Sequence, residues 1–348
     1  MKNKILFATI VIVITAVLAS CASRQSSKVG QKSDFFAMNT YVSVFTQEKN
    51  SELHKNIEQL TRNYEKLFSS KYDDSHLDNY YSSSDIYSDH NELFVLAHNV
   101  AEDTDGAFDY TLGSLTSLWD ITGAARVPSD KEISDALSVC RYKNAHIENG
   151  KVILDNQNTK IDLGAVAKGY TGDKIKELMK ENGIKNGYVS LGGNVCAIGS
   201  SENNVKNGKL GWSVAVNNPF DTSEIIGKLD ITDATISVSG SYERFFEQDG
   251  KIYHHIFDSK TGYPAQSDLV SVAVICENGT LADALSTALF CMGYEKSKQF
   301  YSENKYDFQA VFTLSSGKVF VTDGIMDKFS PSYDASKNGQ KLEFPQYK

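Results

Sequence analysis

The sequence predicts an α+β fold, with strands clustered around a few helices in one large domain or two intimately packed lobes. Short runs rich in aromatic and β-branched residues recur along the chain, among them YVSL, WSVAV, TISVS, KIYHHIF and VSVAVIC. A few longer stretches carry apolar residues at helical spacing instead. Strands and helices do not alternate regularly, which sets α+β above a doubly wound α/β sheet. No Pro/Ser-rich linker divides the chain, and no repeat recurs at a fixed period.

The N-terminus reads MKNKILFATIVIVITAVLASCAS. Lys2 and Lys4 precede an apolar run from Ile5 to Leu18 that is short for a membrane span, so residues 1–20 read as a secretory signal. Leu18-Ala19-Ser20 before Cys21 resembles a bacterial lipobox, in which the cysteine is lipidated and becomes the mature N-terminus. Residues 21–33 are polar and read as a flexible tether, which leaves 34–348 for the folded domain. This is the pattern of a lipoprotein anchored on the extracytoplasmic face of a membrane.

Each later element has its own signal. FFAMNTYVSVFT, 35–46, reads as one strand. Leu53, Ile57, Leu60, Tyr64 and Leu67 space a helix over 51–70. HIENGKVIL is a hairpin turning at Asn149-Gly150. A helix over roughly 169–182 stops at Asn182-Gly183. The helix containing LADALST extends to about Lys298, and a last hairpin turns at Ser316-Gly317.

Net charge is -9, with lysines scattered among acids, which argues against nucleic acid as a partner. Cys140, Cys196, Cys276 and Cys291 lack C-x-x-C spacing and mostly lie in apolar runs, so they read as buried free thiols rather than a disulfide framework or a zinc site.

Four stretches can carry chemistry. In LADALST, 281–287, Asp283 and Thr287 stand one helical turn apart with Ser286 beside them. On their own they fit helix capping or solvent exposure first, and a Mg²⁺ site second, since that ion takes hard oxygen ligands and leaves room for substrate phosphates. KIDLGAVAKGY, 160–170, is a small-residue turn from Asp162 into a helix, with Lys168 near its N-terminus; a phosphate site and a plain tight loop both fit. In YHHIFDSKTGYP, 253–264, strand alternation puts His255 and Phe257 on one face and His254 on the other. Either histidine is a candidate general base or a structural residue. DGAFDYTLGSLTSLWD, 105–120, holds Asp109 in a turn entering a core segment.

Together these stretches resemble the FAD:protein FMN transferase family, the ApbE-type flavin-transferring lipoproteins. M-x-T, F-D-x-T-x-G-x-L, D-L-G-x-x-A-K-G-Y, L-G-G-N, H-I-x-D-x-x-T-G-x-P and A-D-A-L-S-T occur in the family's order across nearly the whole mature chain. The resemblance implies an enzyme that takes FAD as substrate and Mg²⁺ as cofactor. It would attach FMN to a Thr or Ser hydroxyl of an acceptor protein, a membrane redox-complex subunit, and release AMP. Asp283 and Thr287 match the family's side-chain metal ligands, and Ala165 a position that supplies a backbone carbonyl. Met38, Ala107, Phe108, Asp109, Asp162, Lys168 and Phe257 fall where the family contacts FAD. His255 matches the proposed base. Asn39, Ser259 and Ala165 stand where family members usually carry Gly, Pro and Gly, which puts local loop geometry in question without removing a functional group. FAD pyrophosphatase and non-catalytic FAD-binding lipoprotein are the alternative readings.

The N-terminal reading has a direct check. Cys21→Ala is expected to leave an unprocessed or soluble form in place of a membrane-bound one. Fractionation with intact-mass measurement tests this, and parent and variant in one pool with the same processing would overturn it.

Overall fold

The computed structural model of the chain describes residues 30–69 and 89–347. It runs from strands β1 (Gln31–Ala37) and β2 (Thr40–Thr46) into helices α1 (Ser51–Phe68), α2 (Asn91–Asp103), α3 (Gly113–Trp119) and α4 (Asp130–Leu137). Strands β3 (Ala145–Glu148) and β4 (Lys151–Leu154) precede helix α5 (Ala167–Glu181), then β5 (Gly187–Leu191), β6 (Asn194–Ile198) and helix α6 (Glu202–Lys206). Strands β7 (Trp212–Asn218), β8 (Asp221–Ile231), β9 (Thr235–Gly240), β10 (Phe245–Gln248), β11 (Lys251–His254) and β12 (Leu269–Cys276) follow. Helices α7 (Gly279–Met292) and α8 (Tyr294–Ser302) lead to β13 (Gln309–Leu314), β14 (Val319–Val321) and β15 (Phe329–Pro331).

The β-branched runs assemble into an 8-stranded sheet in the order β1-β2-β5-β6-β9-β12-β13-β14, antiparallel throughout. Strand β12 shows why it is apolar on both faces. Val272, Val274 and Cys276 enter the core under α2, α5, α7 and α8, while Ala273 and Ile275 face a second core. A 3-stranded sheet, β15-β8-β7, covers that second core with Val216, Ile226, Leu229 and Phe329. Helices, large sheet and small sheet thus form stacked layers of one large α+β domain. A satellite cluster of Leu115, Trp119, Ile133 and Phe257 packs under α3 and α4. Leu285 and Leu289 of α7 are fully buried, each contributing about 1.5–3 kcal/mol by removal from water.

Several expected boundaries move. Residues 35–46 are a hairpin, because Met38 and Asn39 take φ of 52° and 56° and turn the chain so that Ala37 pairs with Thr40. The tether expected through residue 33 yields to strand at Gln31, since Gln31, Lys32 and Ser33 already pair with Thr46, Phe45 and Val44. The helix expected to reach Lys298 breaks at Gly293, whose φ of 77° ends α7 before α8 begins. The strand expected through Phe257 ends at His254, leaving His255 just beyond it. The Asn149-Gly150 hairpin, the stop after Asn182 and the last hairpin form as expected. Cys140, Cys196, Cys276 and Cys291 are free thiols, Cys291 half-buried and the others buried. The signal segment and Cys21 lie outside the described residues. No helix among the described residues is long and apolar enough to cross a membrane.

What positions the site is the crossing of α5 over α7. A Cβ on Gly169 would sit 2.2 Å from the Gly279 carbonyl oxygen and 2.8 Å from Asp283 Cβ, so only glycine allows this approach. Asp173, one turn along α5, accepts the N–H groups of Gly279 and Thr280 at 2.8 Å each and so caps α7 from its neighbour. Gly169→Ala is expected to push the helices apart at a cost of about 1–3 kcal/mol, as overpacking does. Urea unfolding of parent and variant measures it.

Candidate active site

The turns β1–β2 and β5–β6 lie at the same end of the sheet, because Val42 pairs with Leu191 and Leu191 with Asn194. The L-G-G-N stretch is the β5–β6 turn itself, with Gly192 at φ 68°. Next in the sheet, β9 turns Ser237 and Ser239 to one face, beneath α7. Asn39, where a glycine was expected, carries the positive φ because Asn tolerates that region better than most residues. Met38 tolerates it poorly, and takes it because a two-residue hairpin turn needs positive φ at both central positions.

Asp283 is 4% exposed and held from several directions. Its Oδ2 accepts the Gly169 N–H at 2.9 Å, its Oδ1 accepts from Ser237 Oγ at 2.9 Å, and Lys168 Nζ stands 3.8 Å from Oδ1. Thr287 Oγ1 lies 3.1 Å from Ser239 Oγ, while Ser286 is fully buried and donates to the Asp283 carbonyl at 2.9 Å. Gly169 is the third residue of α5, so its N–H is one of the helix-start donors with no partner inside the helix, and Asp283 of α7 supplies one. Ala165, two residues before α5, has a carbonyl with no hydrogen-bond partner among the described residues. Asp283 thus meets the start of α5 directly, and Thr287 stands one turn further along α7. Among the described residues no cluster of at least 3 His, Cys, Asp or Glu side chains could hold a metal ion. A cation here would rest on one carboxylate and neutral oxygens, the sparse donor set that suits Mg²⁺ completed by substrate phosphates.

His255 follows β11, and its backbone N–H and its Nδ1–H both reach the Arg244 carbonyl, at 3.1 and 3.2 Å. A carbonyl only accepts, so Nδ1 carries the proton and Nε2 keeps its lone pair, with no partner among the described residues. Burial, aided by the charges of Arg244 and Lys168, pushes the imidazole down to about 3 and keeps it neutral. His254 differs. It is buried, its Nε2 faces the Ala265 carbonyl at 3.1 Å and its Nδ1 accepts the Ile256 N–H at 3.2 Å, so it is a structural residue rather than a bystander.

Other expected residues shape loops. Asp109 Oδ1 accepts Thr111 N–H and Oγ1–H at 2.8 and 2.7 Å, and Oδ2 accepts the Tyr142 N–H at 3.0 Å, so its carboxylate is spent inside the loop. Burial pushes that carboxyl up from its ordinary value. Asp162 Oδ1 accepts the Gly164 N–H at 2.7 Å and holds the turn before α5. Phe108 and Phe257 are core side chains, 2% and 6% exposed, and with half-buried Ala107 they offer a ligand mainly backbone. Ser259, in place of the expected proline, donates to the Gly106 carbonyl at 2.6 Å and ties the 258–262 turn to the 105–109 loop.

A profile of the ApbE family matches residues 38–312. The chain belongs to the ApbE family. It is 33% identical over 307 residues to the FAD:protein FMN transferase of Treponema pallidum, across 82% of this chain and 84% of that protein. Its fold is similar to the crystal structure of the ApbE protein of Thermotoga maritima, with a TM-score of 0.73 and 31% identity over 85% of this chain and 97% of that one. A mutant of the flavin transferase ApbE of Vibrio cholerae gives a TM-score of 0.73 at 26% identity, over 84% and 97% of the two chains.

This ApbE-family site also holds two residues that sequence reasoning missed, Glu243 and Arg244. They connect β9 to β10, and nothing in SYERFF separates them from ordinary loop charges. The Glu243 carboxyl, 3.2 Å from where a Cβ on Gly193 would stand, is pushed up by burial and drawn back down by the charges of Lys168 and Arg244. The contrast between the histidines is testable. His254→Ala leaves the Ile256 N–H unpaired, so it is expected to cost about 1–3 kcal/mol in urea unfolding while FAD binding persists in the folded protein.

Proposed function

We propose that this chain is a Mg²⁺-dependent FAD:protein FMN transferase that attaches FMN to a Thr or Ser hydroxyl of an acceptor protein and releases AMP. The names of its relatives support the transferase class, and transfer of FMN from FAD is the activity they carry. The observation that carries the mechanism is the Arg244 carbonyl fixing His255 with Nε2 free, in a site whose other pole is the oxygen cluster at Asp283.

The acceptor hydroxyl is a weak nucleophile at neutral pH and needs a base. Its proton passes to His255 Nε2 as its oxygen bonds the FMN phosphorus. The phosphoanhydride bond to the AMP phosphate breaks, and AMP leaves with the electron pair. Lys168 and Arg244 draw the diphosphate and offset its charge. That same negative charge, once bound, raises the His255 imidazole from its depressed ligand-free value toward the range of a working base. Mg²⁺ held by Asp283, Thr287 and the Ala165 carbonyl would neutralise diphosphate oxygens where charge develops. Met38, Asp162 and the 105–109 loop would shape the FAD pocket. We place the protein on the extracytoplasmic face, held by a lipid on Cys21, with a membrane redox-complex subunit as acceptor.

The test is incubation with FAD and Mg²⁺, with and without an acceptor-containing membrane fraction, following AMP and covalent flavin together. AMP that depends on acceptor supports transfer, AMP without acceptor supports hydrolysis, and no AMP supports mere binding. His255→Ala is expected to keep FAD binding, seen by flavin fluorescence quenching, and to slow transfer about a hundredfold to ten-thousandfold. Transfer at the parental rate would remove His255 from the mechanism. Loss of AMP release in Asp283→Ala at ordinary Mg²⁺ is the matching expectation for the metal.

A further inference from the structure

The serines of β9 pose a proton-counting problem. Ser237 Oγ lies 2.9 Å from Asn194 Oδ1 and 2.9 Å from Asp283 Oδ1, yet a hydroxyl has one proton to give. At the same time Asn194 is fully buried and its Nδ2 has no partner. Turning the Asn194 amide end for end answers both points. Nδ2 then donates to Ser237 Oγ, and the Ser237 proton is committed to Asp283. A second chain runs beside it. Ser286 donates to the Asp283 carbonyl at 2.9 Å, so the 2.8 Å contact from Ser239 to Ser286 carries the Ser239 proton. The 3.1 Å contact between Thr287 and Ser239 then carries the proton of Thr287. A chain of hydroxyls must end on a group that only accepts, and the Asp283 carbonyl is that group.

We propose that Asn194, Ser237, Ser239 and Ser286 are positioning residues that form two directional hydrogen-bond relays, one orienting the Asp283 carboxylate and the other turning the Thr287 lone pairs toward the cation. In this assignment Ser286 is a buried link and not a ligand. The L-G-G-N turn acquires a role as well, since Asn194 starts the first relay. The proposal rests on the reading of Asp283 and Thr287 as divalent-cation ligands. Outer-shell partners of this kind typically change metal affinity about 10- to 100-fold when removed.

Calorimetric titration of Mn²⁺ into the full chain loaded with FAD separates the two claims, with thermal melting of each metal-free protein alongside. Binding by the parent and its loss in Asp283→Ala uphold the ligand reading; no binding by the parent overturns that reading and the relays together. With the ligand reading upheld, Ser239→Ala is expected to weaken Mn²⁺ about tenfold or more with the metal-free melting temperature near that of the parent, and Ser239→Thr to restore it. Ser239→Ala and Ser286→Ala break the same chain, so the double variant is expected to bind no worse than either single one. Ser237→Ala breaks the other relay independently, which keeps the test decisive if a variant at 239 folds poorly. Parental Mn²⁺ affinity in both Ser239→Ala and Ser237→Ala overturns the relays, and additive losses at 239 and 286 overturn the assignment of Ser286.

Discussion

The contact on which the rest depends is the approach of α5 to α7 at Gly169 and Gly279. With no side chain between them, the Gly169 amide, a helix-start donor without a partner in its own helix, reaches the Asp283 carboxylate. A single hydrogen bond then does two things. It fixes one oxygen of the carboxylate, and it satisfies a buried N–H at the start of α5. The helix crossing and the setting of Asp283 are therefore one structural event, and the layers around them hold α5 and α7 in register. Asp173 reinforces the arrangement by serving α5 in sequence and α7 by hydrogen bonding.

Charge in the site is distributed sparingly. Two carboxylates share the charge of Lys168, those of Asp283 and Glu243, the latter also beside Arg244, while the groups that hydrogen-bond the Asp283 side chain are a hydroxyl and a main-chain N–H. Neutral groups can be buried for the cost of satisfying their hydrogen bonds, whereas each further buried carboxylate would need its own compensating charge. His255 follows the same economy, being held neutral by its surroundings.

Much of the fold, and the pairing of Asp283 with Thr287 on one helix, was legible in the sequence, for reasons that differ by residue. Asp283 and Thr287 could be paired because helical spacing translates directly into a shared face. The Asn149-Gly150 turn and the stop after Asn182 were legible because they use residues suited to positive φ. The Met38-Asn39 turn escaped because Met is a poor sign of that conformation, and the flanking residues are strand formers on both sides. Asp109 and Asp162 could be located but not given their local tasks, since which atom a carboxylate bonds depends on the surrounding loop. Glu243 and Arg244 had no local signal at all. Their place in the site follows from the position of β9 in the large sheet, between β6 and β12, a long-range property that no window of sequence contains.

The grip of the Arg244 carbonyl on His255 bears on how this family can diversify. A main-chain oxygen is present whatever side chain residue 244 carries, so mutation there can change the charge beside the imidazole without disturbing its tautomer or its aim. Selection can thus tune the electrostatics around His255 Nε2 while its geometry stays insulated in the backbone. The loop before β10 thereby separates two properties in one residue, its main chain setting the aim of the histidine and its side chain the local charge.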